Sequence, residues 1–315
     1  MPRELEPLDT SGSVLAIHRN CTLSPGTRTA FRRHLRPRCR PETGLRLQWR
    51  VLVPAIGAAL LFLGVSRPAL AWGRMGHRAS ARLAESRLSP QARAIIRDLL
   101  EPGESLADAS TWADENSREI RGSAGWHFVN VPISARHYDP RDCRRSGCVI
   151  SKIGEFRAIL VDPHAPRSRR RTALRFYIHL VQDLHQPMHV ADRNDRGGNN
   201  LQLRYGRHDN TNLHQIWDSG LLYQGFRNET VLVRELEDLA HQPESANWLK
   251  GRIEDWADES LEIGRRAYLV PGSDRTLRTG DSLGREYERA NLPLVTERVA
   301  RSGVRLAFLL NEVLK

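Results

Sequence analysis

Within forty residues the chain places His179, Asp183, His189, His214 and Asp218, five side chains that can ligate a divalent metal. On a helix, residues four apart share a face, so His179 with Asp183, and His214 with Asp218, each present an imidazole and a carboxylate together. Such donor sets suit zinc. The run ALRFYIHLVQDLHQPMHV has helical period from Thr172 to about His185, and Pro187 forbids continuation because it lacks a donor. His189 is therefore expected just beyond the helix end. A polar, glycine-rich loop, DRNDRGGNN, follows, and NTNLHQIWDSGLL opens with an asparagine cap before a second helix, antiparallel to the first. Taken singly, each pair reads as a core histidine bonded to a neighbouring carboxylate; two pairs plus His189 point instead to metal.

A formal charge of +11 at first suggests a nucleic-acid surface, but its distribution argues otherwise. Residues 1–71 hold 11 Lys and Arg against 4 Asp and Glu, leaving only 37 against 33 in residues 72–315. Arg46 and Arg50 precede the apolar run VLVPAIGAALLFLGV, and Ala69 and Ala71 occupy the small positions of a signal-peptidase site. Residues 45–71 thus read as a cleaved secretory signal, whose apolar run of about fifteen residues is short for a membrane span of about twenty. Residues 1–44 read as an N-terminal extension from a misassigned start. No methionine lies between Met1 and Met75, so a later start would need a non-Met codon, for instance at Leu45. The expected protein is secreted or periplasmic and monomeric, without stable membrane association.

The remaining 244 residues suffice for one domain with a real core. Apolar periodicity near 3.6 marks residues 77–101, 149–161, 170–185, 211–223, 229–241, 246–268 and 281–314, while alternating strands are scarce. The expected class is all-α, a single mainly helical domain. Cys143 and Cys148, the only cysteines after Ala71, are expected to close a small disulfide loop in an exported protein.

An ordered series of motifs adds to this reading: WGRMGH at 72–77, WAD at 112–114, WHFVNVP at 126–132, HLVQDLHQPMH at 179–189, DRGGNNLQL at 195–203 and NLHQIWD at 212–218. Together they resemble the S1/P1 nuclease family of zinc-dependent nucleases, whose helical fold is shared with zinc-dependent phospholipase C. Residues 219–315 carry little of the resemblance beyond helical periodicity. The resemblance implies three zinc ions in one cleft. Asp114, His127, His179 and Asp183 are expected to hold one; a neighbour shares Asp183 and takes His77 with the α-amine and carbonyl of Trp72; His189, His214 and Asp218 take the third. An α-amine, with an ordinary pKa near 8, yields its proton to a metal at little cost. Its use would make cleavage before Trp72 a condition of activity.

The implied reaction is in-line attack of water on phosphorus with cleavage of the P–O3′ bond, leaving 5′-phosphates, with Asp114 and Asp183 as the catalytic carboxylates. Single-stranded DNA and RNA and 3′-mononucleotides are the expected substrates, because stacked duplex bases fit poorly in a closed cleft. In the family an aromatic and a carboxylate after WH contact the base; here these positions hold Phe128 and Asn130, which leaves base preference open. A phosphate-binding cation often follows the WAD aspartate by three residues; Ser117 stands there, with Arg118 one later. His185 matches no ligand and is expected behind the ligands or in the core, and His137, His164, His208 and His241 in solvent. The alternative enzyme is a zinc-dependent phospholipase C-like hydrolase; Phe128 favours the nuclease.

Overall fold

Helix α6, Arg167–Asp183, is the axis on which the rest is hung: from Phe176 to Asp183 every residue is buried. A helix apolar on all sides belongs at the centre of a protein. The computed structural model describes residues 72–315, apart from the side chains of His208 and Asp209. The extension expected over 1–44, the signal expected over 45–71 and the leader cysteines Cys21 and Cys39 lie outside the described residues.

In chain order the helices are α1 Arg74–Ser86, α2 Pro90–Leu99, α3 Leu106–Ala109, α4 Trp112–Glu115, α5 Val149–Val161, α6, α7 Leu213–Gln215, α8 Leu221–Gly225, α9 Glu229–Ala240, α10 Ile253–Ala267 and α11 Arg285–Val313. The strands are short: β1 Val131–Pro132, β2 Ala191–Asp192, β3 Gln202–Tyr205, β4 His208–Asn212 and β5 Ser282–Leu283. The protein is mainly helical, as its periodicity predicts.

Two apolar clusters flank α6. One joins α2, α5 and α6 through Leu99, Phe156, Phe176 and Ile178, and the other joins α1, α8, α9 and α11 through Trp72, Leu222, Leu236 and Val299. Helices α5 and α6 pack against each other, and α1 packs against α9 and α11.

Departures from periodicity have local causes. The helix expected over 77–101 is two helices, because Ser89 caps Ala92 N–H and Pro90 starts a new first turn. The helix expected from 246 begins only at Ile253, after Gly251 takes φ 86°. The hairpin β3–β4 lies where a glycine-rich loop ran into the expected start of the helix at 211; Gly206, at φ 62°, turns it. As expected, Asn212 caps the next helix, accepting from Gln215 N–H.

Candidate metal centre

Six segments converge on the C-terminal half of α6. His77 comes from α1, Asp114 from α4, His127 from the loop before β1, and His179 and Asp183 from α6 itself. His189 ends a 3₁₀ turn, Pro187–His189, that follows once Pro187 has stopped the helix. The parallel pairing of β1 with β2 holds His127 and His189 in register, since Val129 N–H donates to His189 O at 2.8 Å and Val131 N–H to Val190 O at 2.8 Å. His214 lies in α7, and Asp218 lies in a π-helical segment, Ile216–Gly220, that joins α7 to α8. Wide turns of this kind recur at functional sites.

Three groups of donors result: His77, His179 and Asp183; Asp114, His127 and His179; and His189, His214 and Asp218. In the first two, His77 Nε2 lies 3.4 Å from Asp183 Oδ1, His179 Nε2 lies 3.2 Å from Asp183 Oδ2 and 3.4 Å from Asp114 Oδ1, and His127 Nδ1 lies 2.9 Å from Asp183 Oδ2. In the third, Asp218 Oδ2 is 3.5 Å from His214 Nε2 and Asp218 Oδ1 is 3.8 Å from His189 Nε2. Donors of one tetrahedral zinc, at bond lengths of about 2.0–2.1 Å, stand roughly 3.3 Å apart. The spacing therefore fits ligands converging on ions as well as it fits direct hydrogen bonds.

Hydrogen bonding separates the two interpretations. His179 Nδ1–H donates to Ser110 O at 2.7 Å, His189 Nδ1–H to His127 O at 2.8 Å and His214 Nδ1–H to Gly197 O at 2.7 Å. Each bond leaves the Nε2 lone pair facing the cluster, the usual device for orienting a metal-bound imidazole. Buried atoms with no hydrogen-bond partner include Nε2 of His77, His127, His189 and His214 and Oδ1 of Asp183. Buried polar atoms are normally satisfied, so this concentration of lone pairs around two buried carboxylates fits a cation. Gly197 is part of the same arrangement. At φ 60°, with Met188 O only 2.2 Å from where a Cβ would stand, it admits no side chain and so delivers its carbonyl to His214.

Charge differs between the groups. Burial opposes ionisation of His179, yet Asp183 and Asp114 outweigh it and hold the imidazole well above its ordinary value. Burial likewise works against ionised Asp183, but His179, His127 and His77 hold it well below the carboxylate range. Around Asp218 burial wins: it pushes that carboxyl well up against the Gln186 hydrogen bond, and pushes His214 down to about 3. Burial thus favours the neutral forms of both Asp218 and His214.

The other expected residues sit as follows. Trp72 is fully buried, its indole N–H on Gln182 O at 3.0 Å, while Gly73 N–H reaches Asp218 O at 2.7 Å. Phe128 and Asn130 are half-buried beside His127. Arg118 is exposed and forms no ion pair among the described residues. Cys143 and Cys148 form a disulfide with Cα atoms 5.2 Å apart. His185 is buried, its ring between Val181 O and Arg305; His137, His164 and His241 are exposed. Sequence reasoning missed Arg144, whose guanidinium stands 5.8 Å from the centre of the Phe128 ring. Its position in the disulfide loop was visible, but not the loop's packing on Phe128, where Val149 N–H donates to Phe128 O.

Comparison with known proteins agrees in extent. The S1/P1 Nuclease family model matches residues 72–315. Endonuclease 2 of Arabidopsis thaliana is 28% identical over 268 residues, covering 77% of this chain and 90% of the plant protein. Nuclease P1 of Penicillium citrinum is 28% identical over 268 residues, covering 77% and 97%, and Nuclease S1 of Aspergillus oryzae is 28% identical over 272 residues, covering 78% and 92%.

Proposed function

The chain belongs to the S1/P1 nuclease family, and from that premise we propose that it is a zinc-dependent hydrolase of single-stranded DNA and RNA and of 3′-mononucleotides. Cleavage falls at the P–O3′ bond and leaves 5′-phosphates. The observation that carries this reading is the place of Asp183 between the donor groups: Oδ1 lies 3.4 Å from His77 Nε2 and 4.0 Å from His189 Nδ1, and Oδ2 lies 2.9 Å from His127 Nδ1. The family match and the relatives named nucleases and endonucleases favour nucleic acid over phospholipid.

Zinc fits these donors. Asp114, His127, His179 and Asp183 would hold one ion, Asp183, His77 and Trp72 a second, and His189, His214 and Asp218 a third. When bound, zinc supplies Lewis acidity: it polarises a phosphoryl oxygen and lowers the pKa of water from 15.7 toward about 7. The chain's own residues supply the rest. Asp114 and Asp183 anchor the reacting end of the cleft, and Phe128 offers a face on which any base can stack, worth about 1–3 kcal/mol. Arg144 packs over that ring. Asn130 presents both a donor and an acceptor to the base edge, and Arg118 supplies charge toward phosphate at the exposed rim.

Residues 72–315 form the nuclease domain of this reading. Residues 45–71 direct export and are removed before Trp72, and the product is a secreted or periplasmic monomer. No helix among the described residues is long and apolar enough to cross a membrane. In an uncleaved chain the Trp72 nitrogen is an amide and cannot act as an amine ligand. The test compares protein beginning at Trp72 with protein carrying one extra residue before it. The native terminus is expected to bind zinc and cut single-stranded DNA, the extended one to lose an ion and activity; equal zinc and activity in both would remove Trp72 from the ligand set.

A further inference from the structure

Two fully buried glutamines, Gln182 and Gln186, flank Asp183 one turn apart. Buried amides are costly unless every polar atom is bonded, and neither appears among the unpartnered atoms. Their bonds lead to different donor groups. Gln182 Nε2–H donates to His77 O at 3.1 Å, which identifies the other amide atom as the oxygen, and that oxygen faces His77 Nδ1 at 2.5 Å. An amide oxygen can only accept, so His77 carries its proton on Nδ1 and its Nε2 lone pair points at Asp183. The Gln182 backbone carbonyl, in turn, accepts the Trp72 indole N–H. One residue thus clamps both ends of the segment 72–77 to α6.

Gln186 does the corresponding work on the opposite side. Its oxygen accepts Met188 N–H at 2.5 Å, so its NH₂ group faces Asp218 Oδ1 and donates to it. That bond leaves Asp218 Oδ2 turned to His214.

We propose that Gln182 and Gln186 are positioning residues that each set one outer metal position independently: Gln182 the position of His77 and Trp72, Gln186 that of His189, His214 and Asp218. The inference rests on the metal reading above. Partners behind a metal ligand are worth about 10–100-fold in affinity, and here the geometry divides that effect between two ions.

The test uses the full chain as it is expressed and processed, with zinc counted by native mass spectrometry during chelator titration. Gln182→Leu is expected to weaken one of three ions by about 10–100-fold and leave two unchanged. Gln186→Leu is expected to do the same to a different ion, so that the double variant retains one ion at wild-type affinity. Gln182→Glu, which keeps an acceptor for His77 Nδ1–H, is expected to recover the ion that Gln182→Leu loses. Three ions of unchanged affinity in the single variants would overturn the proposal, as would loss of all ions together or a double variant that matches either single one. If the Leu variants do not fold, Gln182→Glu is compared with Gln186→Glu: the first keeps the acceptor for His77 Nδ1–H and is expected to retain three ions, the second replaces the donor to Asp218 Oδ1 with an acceptor and is expected to weaken one, and three unchanged ions in Gln186→Glu or loss of the His77 ion in Gln182→Glu would overturn the proposal. A wild-type protein that binds no zinc would instead remove the metal reading itself.

Discussion

Two polar clusters adjoin the C-terminal end of α6, and they are satisfied in different ways. In the first, Glu259 of α10 accepts from Arg298 at 2.6 Å, Arg301 at 3.2 Å and Arg305 at 2.7 and 2.8 Å. The remaining donors are also used: Arg298 reaches His185 O and Ser260 Oγ, and Arg305 reaches Trp248 O and His185 Nε2. In the second, histidines and aspartates of the metal centre keep lone pairs that no protein donor meets. The first cluster is closed on itself and joins α10 and α11 to the turn just after α6. The second leaves lone pairs of the kind that a cation can take up. Burial and charge are common to both, so the unmet lone pairs are what distinguish a binding centre from a brace.

The largest break of this contrast is Asp183→Ala. It removes the carboxylate that stands between His77 and His127, and hydrolysis of single-stranded DNA should fall by far more than the roughly 100-fold that an outer partner costs. Steady-state kinetics with matched zinc counts checks it. Glu259→Ala should do the opposite, sparing zinc per folded molecule while destabilising the fold. It strands Arg298 and Arg305, whose side chains are 4% and 0% exposed. Breaking a buried pair costs about 3–5 kcal/mol; because Glu259 is 33% exposed, a loss on the order of 3 kcal/mol or less is expected, readable as a lower urea midpoint.

The same residue gives a pH signature. Burial would raise Glu259, but the Arg305 hydrogen bond and the Arg298 charge hold it down at about 2 from an ordinary 4.5. A depressed carboxylate contributes stability in full above its unfolded value and loses it as pH falls. Urea midpoints should therefore decline between about pH 4.5 and 2, and Glu259→Gln should flatten that decline; an unchanged slope would detach Glu259 from the brace.

Smaller effects belong at the rim. Phe128→Ala should lower kcat/KM on oligonucleotides by about 5- to 150-fold, the equivalent of one stacked base. Arg144→Ala should lower it by only about 2- to 5-fold, as for an exposed cation over a ring. A larger loss for Arg144 than for Phe128 would mean that charge rather than stacking holds the substrate.

Much of this was legible in the chain because the spacings are local. His179 and Asp183 share a helical face, and Pro187 dictates that His189 leaves it, so their convergence follows from periodicity and one imino acid. The pairs His214–Asp218 and Cys143–Cys148 are equally local. What was not legible depends on contacts far apart in sequence. Nothing near Glu259 announces three arginines from α11, and His185 gives no hint that Arg305, 120 residues away, bonds its ring. The hairpin over Gln202–Asn212 escaped periodicity because its strands are four and five residues long and polar. The π-helical turn at Asp218 was invisible for a different reason: its one extra residue per turn alters hydrogen bonding without altering composition.

The central claim is most directly tested by counting zinc in the purified, processed protein while assaying single-stranded DNA and identifying the product ends. The account predicts three zinc ions per chain, activity that is lost on chelation and restored by zinc, and 5′-phosphate termini. Full activity with no bound metal, or a zinc-loaded protein that leaves single-stranded DNA intact, would contradict it.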